Sequence, residues 1–240
     1  DVAVVPVSIK AGQHTVFWGD SLLLNCAIHS VSYAQNSIDF WKGLATPGSE
    51  SKELFRPKGG LTLQVQPWKE LSLAGQWFYN WQAVRIPESG SYLTVADYIN
   101  FGADSLVFGP NPFAASIPGA PAFTRLWNTN NVPQSRYGAS LGDFGLSARW
   151  SPDWLDGTLG LYYRNATDIQ PQAVVTQGFA AVPAATCTAI GGIVVTPNAC
   201  IINPKVTNLA DLTQKGKVGE YNTAYGNNIH IMGITLAKSI

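Results

Sequence analysis

Residues 61–81, LTLQVQPWKELSLAGQWFYNW, decide how the chain is read. Leu61, Leu63 and Val65 alternate with Thr62, Gln64 and Gln66. After Pro67-Trp68-Lys69-Glu70, the residues Leu71, Leu73, Gly75, Trp77, Tyr79 and Trp81 alternate with Ser72, Ala74, Gln76, Phe78, Asn80 and Gln82. A period of two gives a strand one apolar and one polar face. The stretch therefore reads as two strands and a tight turn. Aromatics gather at the far end of the second strand, and Trp68 marks the turn. Strands that are apolar on one side and polar on the other, with aromatics at both ends, make the wall of a transmembrane β-barrel. A hairpin in a soluble sandwich also alternates.

The same plan recurs further along. Phe144, Leu146, Ala148 and Trp150 share one face, opposite Asp143, Ser147 and Arg149. A turn over residues 151–157, SPDWLDG, follows. The return strand sets Leu159, Leu161 and Tyr163 against Thr158, Tyr162 and Arg164. Residues 8–18 read as a further strand with Gly12 inside it. The last dozen residues read as another, with Met232, Ile234 and Leu236 on one face and Ile229 and Ile231 on the other.

Between these strands lie three long segments rich in Pro, Gly, Ser and Asn, which predict irregular structure. Connections run about 41 residues, four, about 53, seven and about 50. Transmembrane barrels alternate short periplasmic turns with long extracellular loops; a sandwich has no reason to sort its loops this way. The expected fold is all-β: an antiparallel transmembrane β-barrel, or part of a larger one, with long extracellular or lumen-inserted loops, forming a single domain over residues 1–240. About six spanning strands are visible, whereas the smallest bacterial barrels have eight. An open edge in lipid leaves backbone groups unsatisfied. The chain therefore reads as an incomplete portion of a longer one.

Composition agrees with a barrel wall. Charged residues are 12% of the chain, about half the usual soluble share, while aromatics reach 11% with eight Trp. Mean hydropathy is only +0.05. No run of 18 apolar residues exists, which excludes a transmembrane helix. Net charge is zero and no basic cluster occurs, so nucleic acid is not an expected partner.

Of three cysteines, Cys187 and Cys200 lie in one segment, TCTAIGGIVVTPNAC. A bridge there closes a loop of about 14 residues, contributes roughly 3 kcal/mol and implies an oxidising compartment. Two unpaired thiols are the alternative. Cys26 is left over as a small buried residue. Nothing has the spacing of a metal site or a cofactor motif.

Several stretches resemble one family. They are AGQHTVFWGDS at residues 11–21, TPGSESKELFRP at 46–57, the opening hairpin, GSYLTVADYINFGAD at 90–104, and the closing YGNNIHIMGITLAKSI. Together they are similar to the proteobacterial proteins catalogued as domain of unknown function 1302. That family's pattern has Gly-Arg-Gln before Thr-Val and Trp-Gly-Glu after it. Here Ala11-Gly12-Gln13-His14 and Trp18-Gly19-Asp20 stand in those places. The resemblance implies an outer-membrane β-barrel of a Gram-negative bacterium, linked to transport of poorly soluble organic molecules. It supplies no catalytic residues.

Site expectations follow from the alternation. Gln64, Gln66, Gln76, Asn80, Asp143, Arg149 and Arg164 face the lumen. Trp68, Tyr79, Trp81, Trp150 and Trp154 sit at the membrane interfaces, where amphipathic rings are favoured. The densest charge cluster, with Glu50, Lys52, Glu53 and Arg56, suits a constriction or plug; a solvated loop is the plainer alternative. A barrel enzyme would use His14 with Ser8 or Ser21, but no Gly-x-Ser-x-Gly elbow exists, and the protein is not expected to be an enzyme. His29 and His230 read as polar or interfacial residues. The expected function is an outer-membrane channel for small organic molecules. Expected partners are membrane lipid and lipopolysaccharide, a periplasmic or inner-membrane transport partner, and a second copy of the chain. Alternatives are a structural or adhesive outer-membrane barrel and a secreted carbohydrate-binding sandwich.

Overall fold

The computed structural model describes residues 5–19, 30–94, 96–99, 102–115, 117–129 and 142–238. Ser21, Cys26 and His29 lie outside them, as do residues 136–141 of the second hairpin. The chain is all-β in its main elements and divides into two compact units. The first comprises residues 1–86, 136–171 and 225–240; the second comprises residues 87–135 and 172–224.

The first unit is built on one six-stranded antiparallel sheet. Its strands are β1 (Val7–His14), β2 (Lys58–Trp68), β3 (Leu71–Phe78), β4 (Asp143–Trp150), β5 (Gly157–Ala166) and β6 (Ile229–Lys238). They lie side by side in chain order. The two predicted hairpins are β2–β3 and β4–β5. The first turn is tighter than the four residues expected, because the ladder shifts register between Val65 and Trp68 and resumes at Trp68–Leu71. The second turn contains a short 3-10 helix, Asp153–Leu155, closed by Asp156 in the left-handed region. β1 and β6 are the edges and do not pair with each other, so this sheet is not a closed barrel.

Register sorts the side chains as the alternation requires. On one face, Leu61, Trp77 and Phe144 are cross-strand neighbours, and so are Val65, Leu73, Ala148, Leu161 and Ile234. This apolar face is the exposed one: Met232, Ile234 and Leu236 are 77%, 75% and 62% exposed. The opposite face carries Lys58, Gln76, Asp143, Ser147 and Arg164, and these are buried. The polarity is inverted relative to a water-soluble sheet, which buries its apolar side.

β1 ends at His14, earlier than the predicted strand over 8–18. Beyond it the backbone leaves the ladder for side-chain partners. Val16 N donates to Asn36 Oδ1 at 3.2 Å, Asn36 Nδ2 donates to Val16 O at 2.6 Å, and Trp18 N donates to Gln35 Oε1 at 2.9 Å.

The second unit corrects the expectation that the two longest connections are irregular. They form a sheet ordered Gln172–Gln177, Lys217–Ala224, Phe123–Asn128 and Ser105–Pro110, with a smaller three-stranded sheet and the helices Ala184–Ala189 and Leu209–Lys215. Their own core comprises Phe113, Leu126, Phe179, Ala199, Leu212, Val218 and Tyr221. Turn residues punctuate strands that pair across about 100 residues of sequence, and local pattern reading does not see such pairing. Cys187 and Cys200 are disulfide-bonded, as expected, and tie the Ala184–Ala189 helix to the strand Ala199–Ile201.

Candidate functional site

The polar face of the six-stranded sheet is covered over part of its area by residues 31–37, VSYAQNS. Ser32, Ala34, Gln35, Asn36 and Ser37 are buried there. This is turn backbone, with Tyr33 N bonded to Ser30 O and Gln35 N to Ser32 O. A turn leaves carbonyls that the backbone does not satisfy, and a buried carbonyl needs a donor. Two cations on the strands provide them. Arg164 Nη1 donates to Val31 O at 2.8 Å and also to Tyr33 O, while Lys58 Nζ donates to Ala34 O at 2.7 Å. Both side chains are fully buried. Gln35 Nε2 donates to Gln76 Oε1 at 3.0 Å.

Lys58 Nζ lies 3.7 Å from Asp143 Oδ2 and 5.3 Å from the centre of the Phe78 ring. The Thr167 hydroxyl lies 2.8 Å from Asp143 Oδ1 and 3.0 Å from Asn227 Oδ1. A buried charge is tolerable only when paired and hydrogen-bonded, and Lys58 and Asp143 meet that condition with each other and with neighbouring polar groups. Beside Arg164, β4 has no room for a side chain. A Cβ on Gly145 would stand 2.8 Å from Arg164 Cγ, Gln76 Nε2 and Trp18 Cζ3 alike.

Beyond β5, Tyr33 donates its hydroxyl to Asp168 Oδ1, Trp81 Nε1 donates to Asp168 O at 3.0 Å, and Tyr225 stacks edge-on against Trp81 at 4.8 Å. Burial, followed by the Asp168 hydrogen bond and charge, pushes the Tyr33 phenol well above its ordinary value. Burial and then the Asp168 charge push Tyr225 up to about 12.

Nearer the two short turns the described residues leave the polar face open. A cleft of about 220 Å³ is lined by Lys10, Thr62, Gln64, Ser147 and Arg149 with Val16 and Trp18. His14 Nδ1 lies 3.0 Å from Gly12 O, so it carries the proton; Nε2 then accepts from the Thr62 hydroxyl at 2.7 Å. His14 is thus paired with Thr62, whereas Ser8 only shares the cleft.

The expected lumen residues fall into three groups. Gln76, Asp143 and Arg164 are brought together under residues 31–37. Gln64 and Arg149 line the open cleft, and Gln64 Nε2 donates to Ser72 Oγ at 3.1 Å. Gln66 and Asn80 join neither group: Gln66 Nε2 donates to Lys69 O at the turn, and Asn80 lies past the end of β3.

The segment laid on the polar face is residues 31–37, not the charge cluster expected as a plug. Glu50 pairs with exposed Lys52, Glu53 lies 3.7 Å from Lys42, and Arg56 Nη1 donates to Ala83 O at 3.3 Å. Nearby residues and solvent satisfy Glu50, Lys52 and Glu53, while Arg56 takes a carbonyl 27 residues further on. Residues 31–37 escape a sequence reading because they carry neither periodicity nor charge. Lys58 has the same parity as Thr62 and Gln64, and that parity was the available signal for it.

Among the aromatics, Trp68, Tyr79, Trp150 and Trp154 are exposed on the apolar side or at its turns, with Trp150 and Trp154 edge-to-face at 5.8 Å. Trp81 is corrected: it is 9% exposed and packs with Ala83 and Tyr225, because β3 ends at Phe78 and the alternation ends with it. Among the described residues no helix is long and apolar enough to cross a membrane, which says nothing of strands, and no cluster of His, Cys, Asp and Glu is placed to hold a metal ion.

Fold and site together define a mainly antiparallel β protein whose principal sheet is apolar on its exposed side and charged beneath an inlaid segment. The chain belongs to the family described as protein of unknown function (DUF1302), whose model matches residues 1–240, as the resemblance indicated. No curated protein and no solved structure matches it.

Proposed function

We propose that the chain forms wall of an outer-membrane β-barrel in a Gram-negative cell, and that small organic molecules, poorly soluble ones included, cross by diffusion along its polar face. The observation that carries this reading is the inverted sheet. Water-soluble monomers rarely expose apolar patches beyond a few hundred Å², yet here all six strands turn aliphatic and aromatic side chains outward while Lys58, Asp143 and Arg164 are buried. The apolar face is also graded. Trp77, Tyr79 and Phe144 stand towards one end and Trp68, Trp150 and Trp154 towards the other, with Leu63, Leu73, Leu146, Leu161, Tyr163, Met232 and Ile234 between. From Leu71 to Tyr79 is about 27 Å along an extended strand, comparable with the ≈ 25 Å apolar band of outer-membrane barrels.

Lipid and lipopolysaccharide would cover that face. Closure in lipid requires further strands against β1 and β6, and either a longer chain or a second copy would supply them. A periplasmic or inner-membrane partner would couple the pore to transport. The disulfide-tied second unit, with its own core, favours one rival: a surface barrel that binds an external partner without conducting.

Planar-bilayer recording of the folded protein tests the channel. Discrete conductance steps are expected. A folded, inserted protein that passes no current overturns the channel and leaves the adhesive reading. A protein that stays monodisperse without detergent overturns both.

A further inference from the structure

Five charged side chains stand on the polar face of the six strands: Lys10, Lys58, Arg149, Arg164 and Asp143. Four are cations. Lys58 is engaged by Asp143 and the Ala34 carbonyl, and Arg164 by the carbonyls of Val31 and Tyr33. The other two, Lys10 and Arg149, are exposed and line the open cleft, and among the described residues no carboxylate lines it with them. Around them Gln64 and Ser147 offer hydrogen-bond donors, and Trp18 offers an apolar surface. Lys10 is level with Gly145, three strands over, and Arg149 stands four residues further along that strand, so the two are about 14 Å apart across the sheet and about 13 Å apart along it. Their long side chains therefore flank the cleft from opposite banks. A volume of about 220 Å³ is below that of a drug-sized site and suits one small solute.

We infer that this cleft is a binding station for small monoanions that carry an apolar body, carboxylates in particular. The anionic head sits between Lys10 and Arg149, and the body lies against Trp18. Cations standing unpaired over a low-dielectric wall raise the local concentration of anions and repel organic cations. This rests on the channel reading for its physiological meaning and names the class of solute that the pore would favour. The phosphate of a lipid headgroup would satisfy the same cations, so the test separates the two sources.

The chain is folded in non-ionic detergent, and ligand-observed NMR follows 3-phenylpropanoate, 3-phenylpropylamine and phenyl phosphate, with protein-free micelles as blank. Expected is saturable binding of the carboxylate that weakens between 50 mM and 500 mM salt, with no saturable binding of the amine. Lys10→Gln and Arg149→Gln each weaken it about three- to fivefold, and together about tenfold. Both side chains are exposed, so the variants fold; heat-modifiable gel mobility checks this. Equal binding of the amine, or unchanged affinity in the double variant, overturns the inference. Binding of phenyl phosphate alone overturns the carboxylate assignment in favour of a lipid headgroup. Reversal potentials across a KCl gradient separate this claim from the channel itself. Conductance without anion preference, lost binding or both sinks only the cleft. Retained binding without conductance sinks only the channel.

Discussion

Arg164→Met removes a tie between the six-stranded sheet and the segment laid upon it. The guanidinium gives donors to Val31 O and Tyr33 O in a fully buried place. Methionine has similar length but no donor, so both carbonyls lose that partner. A buried polar group without its partner costs about 1–3 kcal/mol, giving about 2–6 kcal/mol for two. Freedom regained by the flanking side chains offsets about 1–2 kcal/mol of this. The docked state of residues 31–37 should then weaken by about 1–4 kcal/mol, a factor of roughly 5 to 700 in local opening at 1.4 kcal/mol per tenfold. The reporters are the amides of Val16 and Trp18, whose acceptors are the side chains of Asn36 and Gln35. Hydrogen exchange in detergent should accelerate at both by that factor, while amides of the β2–β3 ladder keep their rates. Unchanged exchange at Val16 and Trp18 would refute the clamp. Equal acceleration across the whole sheet would show Arg164 to be a global stabiliser rather than a tie to this segment.

Three further outcomes are expected. Ile234→Lys places a charge in the middle of the apolar face and should cost about 2–4 kcal/mol of folding stability in lipid vesicles; a soluble sandwich would gain solubility instead, which refolding yields with and without lipid would reveal. Cys187→Ser with Cys200→Ser opens a loop of about 14 residues and should remove roughly 3 kcal/mol from the second unit, seen as proteolysis within residues 172–224 that leaves the β2–β3 hairpin intact. Alkali should act through the buried phenols: burial, with the Asp104 and Tyr98 charges, raises Tyr221 from 10.0 to about 12, and Tyr225 is raised likewise. Their folded values exceed their unfolded ones, so their contribution is complete below about pH 10 and is lost as pH rises towards 12. Tyr221→Phe and Tyr225→Phe should blunt that alkaline loss in a urea-unfolding series.

The six-stranded sheet was legible because β alternation is local. Leu61 to Trp77 and Phe144 to Tyr163 declare their faces by parity alone, whatever they pack against. Asp143, Arg149 and Arg164 were therefore assigned to the polar face without knowledge of any contact. The Cys187–Cys200 bridge was legible for a related reason: its loop is short, and the cysteines bracket one segment. Trp81 was misplaced because parity holds only while the strand lasts, and nothing in the sequence marks its end at Phe78.

Long-range contact decided the rest. Residues 31–37 have no periodicity; what recruits them is the need of turn carbonyls for donors, met by Lys58 and by Arg164 from more than 120 residues away. The charge cluster at Glu50 to Arg56 looked more purposeful, yet Glu50, Lys52 and Glu53 find their partners close in sequence or in solvent. The second unit exists because strands from two separate connections pair and bury Leu126, Phe179 and Tyr221 together. Sequence by itself determined which way each strand of residues 61–81 and 143–166 faces, because that is geometry of the backbone. Only the tertiary structure decided what covers the polar face and what leaves Lys10 and Arg149 open, because that depends on which distant donors and acceptors meet.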